Sequence, residues 1–327
     1  MNIAVLYLDG YKLKSTYPED CEGRDGSVTM HPVVGALKRL GHNVQLVEAD
    51  LDSFEKLRSS KPDVVFNLCD DGFHAKAELE PHVAAMLDIL EIPYTGCGPG
   101  ALSICLDKAN TKRILAHEGL PTPDFYVAES PDDIEHNLEY PVIVKPLGED
   151  GSIGIKKDSV VDNDKDLSVQ IKKLVSLYKE PALVEKFIDG REFNIALLGN
   201  GSPVALPVSE IVFEGLHGTE RIVSYDAKWK ESSKQYKSTV RHCPADITPQ
   251  LRKELIDVST RAYKLMGLRG YGRVDIRANG NGPQILEVNP NPDISADAGL
   301  TYAAKAAGIT YEQLVEKIIN YALEDQT

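Results

Sequence analysis

Asp275, Glu287 and Asn289 are the side chains whose types and spacing point most directly to chemistry. Asp275 lies within the apolar run 274–276 and Glu287 within the run 285–288. The segment Asn279-Gly280-Asn281-Gly282 separates them. Turn chemistry of that kind between strand-like runs marks a tight strand pair. Pairing would bring Asp275 close to Glu287, and Asn289, two residues further on, would share the side of Glu287. Two carboxylates and an amide carbonyl make a hard-oxygen set, which suits Mg²⁺ when phosphate oxygens complete its octahedron. The bland alternative is an acidic strand pair facing water.

Three other stretches carry phosphate or nucleotide chemistry. Val142-Ile143-Val144-Lys145-Pro146 delivers a lysine to a strand end, and Gly148-Glu149-Asp150-Gly151-Ser152-Ile153-Gly154 follows. Glycines let backbone N–H groups approach phosphate oxygens, and the lysine adds a point charge. The Walker A pattern is absent, and a hairpin ending in an exposed lysine is the plain alternative. Glu185-Lys186-Phe187-Ile188 ends a second strand and leads to Glu192. An extended linker there could offer backbone groups to an adenine edge, with Glu192 accepting from ribose hydroxyls, or it could be a solvated connector. Lys228, in Tyr225-Asp226-Ala227-Lys228-Trp229, is either another phosphate contact on a mobile loop or an exposed basic residue. Gly96-Cys97-Gly98-Pro99-Gly100-Ala101 fits a dinucleotide fingerprint by string alone. It comes after three strands instead of after the first, so it reads as a tight turn into a helix.

Positioning these groups needs a frame, and the pattern supplies one. Residues 3–8, 44–47 and 63–69 are strand-like. Helical stretches at 31–40, 54–58 and 78–90 alternate with them, and 92–95 closes the unit. Such alternation implies a mostly parallel, doubly wound sheet, with ligands at the carboxyl ends of its strands. The loops 10–29 and 70–77 lie at such ends. Next come a helix over 101–117, strands at 124–127, 141–145 and 153–156, a helix over 166–178 and a strand over 182–188. The remainder has strands at 192–199, 204–208 and 210–213, a helix over 248–266, the strand pair described above and two final helices. The units expected are 1–97, 98–188 and 189–327.

Bulk properties narrow the function classes. The chain has 327 residues, 42% hydrophobic and 26% charged, as in soluble globular proteins of more than one domain. No apolar run approaches the roughly 20 residues of a membrane span. The N-terminus reads as a first strand and not as a signal peptide. A net charge of −14 without a Lys/Arg tract argues against nucleic acid as a partner. The five scattered cysteines form no C-x-x-C pair, which argues against a disulfide framework and against zinc. A cytoplasmic setting is expected.

Taken together, the segments resemble the ATP-grasp superfamily, and most closely its D-alanine–D-alanine ligase branch, over about residues 60–325. The landmarks fall in family order. They are Leu106-Asp107-Lys108 with Thr111-Lys112, Val144-Lys145-Pro146, Gly151-Ser152-Ile153-Gly154 and Val184-Glu185-Lys186-Phe187-Ile188. Tyr225-Asp226-Ala227-Lys228, Gly272-Arg273-Val274-Asp275 and Glu287-Val288-Asn289 complete the series. The resemblance implies an ATP-grasp fold, α/β and α+β, with an N-terminal doubly wound pre-ATP-grasp domain and two lobes that clasp ATP. It implies that Lys108 and Lys145 contact ATP phosphates, that Glu185, Lys186, Phe187 and Ile188 meet adenine, and that Glu192 meets ribose. Asp275, Glu287 and Asn289 would hold two Mg²⁺, or Mn²⁺, and Arg273 would face the transferred phosphate. Ser152 and Lys228, on the two lid segments, complete the implied catalytic set.

The implied reaction is carboxylate activation. ATP phosphorylates a carboxylate to an acyl phosphate, and an amine displaces phosphate to leave an amide. Positioning and charge neutralisation suffice for that chemistry, and no Ser-His-Asp or Cys-His constellation is evident. The acyl phosphate must be kept from water, so closing lids are expected at 151–152 and 225–237. The implied partners are small-molecule carboxylate and amine substrates, amino acids or peptides, with a homodimer as the oligomer to test.

The departures concern substrates. The family's glutamate-bearing segment after the first strand is replaced by Asp9-Gly10-Tyr11-Lys12-Leu13-Lys14, and its H-G-x-x-G-E-D-G segment by the stretch from Cys69 to Glu78. Ala298 stands where a carboxylate-binding serine would stand, in a segment that also brings in Asp293 and Asp297. With Asp70 and Asp71 these acids suggest a cationic group nearby, or a solvated rim. The expectation is a ligase for substrates other than two D-alanines. The alternatives are a genuine D-alanine–D-alanine ligase and an inactive ATP-binding regulatory protein.

Overall fold

The structure is a computed structural model, and it describes residues 1–8, 27–134 and 137–324. The segment 9–14, most of the loop 10–29, and Cys21 therefore lie outside the described residues.

The first unit runs β1 (Asn2–Tyr7), α1 (Ser27–Arg39), β2 (Asn43–Glu48), α2 (Ser53–Ser60), β3 (Val64–Leu68) and α3 (Glu80–Ile89). Its sheet is parallel in the order β2-β1-β3, and Tyr94 adds a parallel bridge to Val65. Alternate residues of β1 feed two cores. Ala4, Leu6 and Leu8 join one with Val83, Ala84 and Leu87 of α3. Ile3 and Val5 join the other with Val33, Ala36 and Leu37 of α1 and with the C-terminal helices. A sheet covered on both faces is what the strand–helix alternation implied.

The next helical stretch is two helices, α4 (Pro99–Leu106) and α5 (Lys108–His117), not the single one expected over 101–117. Asp107 leaves helical geometry and becomes the N-cap of α5, accepting from the backbone N–H of Asn110 at 2.8 Å. The break puts Lys108 at the first turn of α5.

A small antiparallel sheet follows: β4 (Phe125–Ala128), β5 (Val142–Pro146), β6 (Val160–Val161), α6 (Asp164–Tyr178) and β7 (Ala182–Lys186), in the order β4-β7-β5-β6. Its core is Val142, Val144, Ala182 and Val184 against Leu167, Ile171 and Leu174 of α6. The expected strand at 153–156 is instead a glycine-rich turn, and β6 lies further on. Positive φ at Gly151, Ser152 and Gly154 is incompatible with a strand.

The third unit comprises β8 (Arg191–Leu198), β9 (Val204–Ala205), β10 (Ser209–Phe213), α7 (Tyr225–Trp229), α8 (Lys234–Ser238), β11 (Thr239–His242), α9 (Pro249–Leu265), β12 (Tyr271–Asn279), β13 (Gly282–Asn289), α10 (Gly299–Ala306) and α11 (Tyr311–Glu324). The sheet order is β11-β10-β8-β12-β13, with β9 beside β8. Helix α9 starts at Pro249, with the Thr248 hydroxyl accepting from Leu251 N–H as N-cap. It buries Leu255, Val258, Ala262 and Tyr263 at helical spacing against the back of β8, β12 and β13. Each large apolar side chain there stabilises the fold by roughly 1.5–3 kcal/mol, enough to hold the sheet rigidly beneath the site. No helix among the described residues is long and apolar enough to cross a membrane.

Candidate active site

Strand alternation does most of the positioning. On β12, Val274, Ile276 and Ala278 are buried in the core, so Arg273, Asp275 and Arg277 project to the opposite face. Register then fixes their neighbours. Asn289 lies opposite Arg273, Glu287 and Asn194 opposite Asp275, and Glu192 opposite Arg277. A bulge falls between Asp275 and Ile276. Leu286 is the extra residue, and it joins the lining of the cleft.

The polar face is tightly bonded. Arg273 donates from Nε and Nη2 to the two oxygens of Asp275 at 2.7 and 2.9 Å. Asp275 also accepts from Asn194 at 2.7 Å and Asn289 at 3.1 Å. Burial alone would lower the Arg273 guanidinium, but Asp275 outweighs it and drives the pKa further up. Arg277 grips Oε2 of Glu192 with two N–H groups at 2.9 Å and donates to the Ile188 carbonyl at 2.9 Å. Burial raises the Glu192 carboxyl above its ordinary range despite that arginine.

The small sheet supplies the opposing cations. Lys145, near the end of β5, lies 3.0 Å from Glu185 Oε1, and Lys112 of α5 lies 2.6 Å from Glu185 Oε2. Burial would raise the Glu185 carboxyl, but the two lysines overcome it and hold it below the usual range. Lys108 lies 3.5 Å from Glu287 and donates to the Glu149 carbonyl. Ile143, Phe187 and Ile222 form an apolar shelf on the same side. Burial, reinforced by Glu180 and Asp150, pushes the Glu149 carboxyl up to about 7.

These groups line one cleft of about 1650 Å³, larger than the roughly 300–1,000 Å³ of a single small-ligand pocket. There is room for a nucleotide together with a second small molecule. The two expected lid segments meet across it. Trp229 Nε1 donates to the Gly151 carbonyl at 2.9 Å, and Tyr225 N–H to the Ile155 carbonyl at 2.9 Å. Lys228 sits 5.1 Å over the Trp229 ring. Ser152 has φ 66°, a left-handed conformation costing on the order of 1 kcal/mol for a non-glycine residue. At Gly154 (φ 74°) a Cβ would run into Pro146, so only glycine closes the turn.

Most of the sequence-derived residues converge here. Lys108, Lys145, Glu185, Phe187, Ile188 and Glu192 line the cleft, as do Ser152, Lys228, Arg273, Asp275 and Glu287. Two do not. The Lys186 ammonium points outward to exposed Glu139 at 2.9 Å, so only its backbone remains near the cleft. Asn289 is off the lining, its amide nitrogen turned to Asp275. Among the described residues no group of three or more His, Cys, Asp or Glu converges as a metal cage. Asp275 and Glu287 offer hard oxygens to the cleft, and Asn289 is within reach of Asp275. The chemistry of the set fits Mg²⁺, although Arg273 and Lys108 already pair with the two carboxylates.

The far end of the cleft holds what sequence reasoning missed. Arg241, on β11 opposite Ile211, lines it. Its Nη1 donates to the Asp297 carbonyl at 3.2 Å, and its Nε is buried without a partner among the described residues. Burial and nearby Arg273 both lower its pKa. Gly299 opens α10 directly beside it, where a Cβ would lie 3.5 Å from Arg241 Nη2. Ala298 is the N-cap and makes no side-chain cap bond. Asp293 is largely a loop-forming residue: it accepts from Ser295 N–H at 2.7 Å and lies 2.9 Å from the Ser295 hydroxyl, which is 3.1 Å from Asp297. Asp70 and Asp71 stand on the cleft wall. The Gly96–Ala101 string is a docking turn. Asn291 fills the space of a Gly96 Cβ, accepts from Cys97 N–H at 2.9 Å, and donates to buried Glu80 at 2.8 Å.

Comparison with known proteins identifies the family of the chain. Residues 114–320 match the family model described as the D-ala D-ala ligase C-terminus. A D-alanine–D-alanine ligase of Carboxydothermus hydrogenoformans is 36% identical over 88% of this chain and 90% of its own length. An uncharacterized protein, y4sG, of Sinorhizobium fredii is 34% identical over 89% of this chain and 86% of its own. The crystal structure of a D-alanine–D-alanine ligase from Bacillus anthracis complexed with ATP shares the fold. Its TM-score is 0.76 at 22% identity, over 100% of this chain and 98% of that one.

Proposed function

From the premise that the chain belongs to the D-alanine–D-alanine ligase family, and so is an ATP-dependent, ADP-forming carboxylate–amine ligase with the ATP-grasp fold, we propose how its residues divide the reaction. Lys108 and Lys145 hold the ATP phosphates. The Ile143, Phe187 and Ile222 shelf and the backbone at 185–188 take the adenine, and Glu192 takes the ribose. Asp275, Glu287 and Asn289 hold two Mg²⁺ ions, which supply charge neutralisation at the phosphates when bound. Arg273, released from Asp275, faces the phosphoryl group and then the tetrahedral adduct. Ser152 and Lys228, brought together by the Trp229–Gly151 contact, shut water out of the acyl phosphate. The units 1–97, 98–188 and 189–327 divide this work, with α4 and α5 also packing in the core shared by the first and third.

The observation that carries this reading is the meeting, in one cleft, of Lys145 from the small sheet and the Arg273–Asp275–Glu287 face from the large one. A substrate carboxylate attacks the terminal phosphorus and ADP departs. The amine then attacks the acyl carbon and phosphate leaves.

The substrate pair we propose is not two D-alanines. Ala298 offers no hydroxyl at the N-terminus of α10, and Arg241 supplies the donor there instead. A guanidinium suits a carboxylate presented as a fork. The second reading, a genuine D-alanine–D-alanine ligase, is favoured by the named relative at 36% identity. ADP release should be measured with D-alanine alone and with mixed amino acids, and the product identified by mass spectrometry. ADP release only with a mixed pair supports the first reading. Saturable D-alanyl-D-alanine synthesis establishes the second.

A further inference from the structure

Lys112 is named by none of the roles above, yet it is the most deeply buried cation of the site, with 1% of its side chain exposed. We propose that Lys112 is a positioning residue that holds Glu185 so that Lys145 is available to phosphate. This rests on the reading that Lys145 meets ATP.

Glu185 is equally buried, at 1%, and presents one oxygen to each lysine: Oε2 to Lys112 at 2.6 Å and Oε1 to Lys145 at 3.0 Å. Lys112, Lys145 and Glu185 together carry one net positive charge away from water. A buried charge without a counterion is costly, so the cluster favours an anion brought to it from the cleft. Lys145 is the member that reaches the cleft, with 10% of its side chain exposed. Lys112 cannot compete for that anion. Its ammonium also donates to the Thr122 hydroxyl at 2.9 Å and lies 6.0 Å from the Phe125 ring centre. Thr122 in turn donates to the Ile285 carbonyl at 2.8 Å, and Ile285 N–H donates to the Pro121 carbonyl at 2.8 Å. Lys112 thus sits where the small sheet is sewn to the edge of β13, two residues before Glu287. Without Lys112, Glu185 and Lys145 become a neutral buried pair, and Lys145 must abandon its Glu185 partner to reach phosphate.

The test is the KM for ATP against kcat in four variants, with melting temperatures as a check on folding. Lys112→Met should raise the KM for ATP by about 10–100-fold, the range expected for a charge-assisted contact, with a much smaller change in kcat. Lys112→Arg should restore most of the affinity. Lys112→Met combined with Glu185→Gln returns the cluster to one positive charge, and its KM should fall back toward wild type. Loss of that rescue, or an unchanged KM in Lys112→Met, overturns the proposal. If Lys112→Met melts early, the double variant decides: near-wild-type KM supports the proposal and weak binding overturns it. Lys145→Ala separates the two levels. If it leaves ATP binding intact, the phosphate reading of Lys145 fails. If it weakens ATP while Lys112→Met does not, only the present inference fails.

Discussion

At the end of the cleft proposed to take the ATP phosphates, Lys145 touches Glu185, Lys108 touches Glu287 and Arg273 touches Asp275. At the far end, Arg241 meets a backbone carbonyl and buries its Nε without a partner among the described residues. The first set stands on paired strands and on the start of a helix, where register fixes every neighbour. The second stands on an edge strand, a loop and the first residue of α10. The lesson is one of tolerance. A cation held by a carboxylate in register can exchange that partner for phosphate without moving the backbone. A loop corner such as the one at Ala298 can change its residues without disturbing the paired strands beside it.

The contrast can be broken by substitution. The largest effect should follow Glu287→Gln, which removes a carboxylate proposed to hold metal and leaves Lys108 unneutralised. Turnover should fall on the order of 10²–10³-fold while the fold is retained. Wild-type turnover at saturating Mg²⁺ would remove Glu287 from the metal site. Next is Lys145→Ala, expected to weaken ATP by roughly 1.5–3 kcal/mol and to shrink the ATP-induced rise in melting temperature. An unshrunken shift places that lysine outside the phosphate site.

At the other end, Arg241→Met should raise the KM of the carboxylate-bearing amine substrate by about tenfold or more, with little change in the KM for ATP. Equal effects on both would erase the distinction between the two ends. The smallest effect is a pH signature at Glu149. An unfolded glutamate titrates near 4.5 and this one near 7, so the folded state prefers the protonated form. Its stabilising effect is full below pH 4.5 and is lost as pH rises through 7. Glu149→Gln should therefore stabilise the protein at pH 8 relative to wild type, by on the order of 1 kcal/mol, and much less at pH 4. Equal shifts at both pH values would show that the carboxyl is not held protonated.

What was legible in the sequence follows the same division. Two short apolar runs and the Gly/Asn turn between them located β12 and β13, and hence the Asp275–Glu287 pairing. Alternating strands and helices gave the doubly wound first sheet. The break at Asp107 was missed because a capping aspartate inside a continuous helical pattern looks like a surface residue. The outward turn of Lys186 was equally hidden, since a strand end does not say which way its next side chain falls. Arg241 was invisible for a different reason. Its neighbours, Gly299 and the 297 carbonyl, are 56 or more residues away in sequence, and only the order β11-β10-β8-β12-β13 brings them together. Lys112 was seen as a landmark, but its role depends on Thr122 and Glu185 arriving from two other elements.

The contact between Trp229 and the Gly151 carbonyl has an optical consequence. The chain has a single tryptophan, and its indole N–H is spent on the junction between the segments around Gly151 and Trp229. Indole emission depends on hydrogen bonding and on exposure to water, so the unlabelled protein carries one fluorophore at the contact between the two segments proposed to close over the cleft. Stopped-flow mixing with nucleotide would show, independently of turnover, whether that contact opens and re-forms.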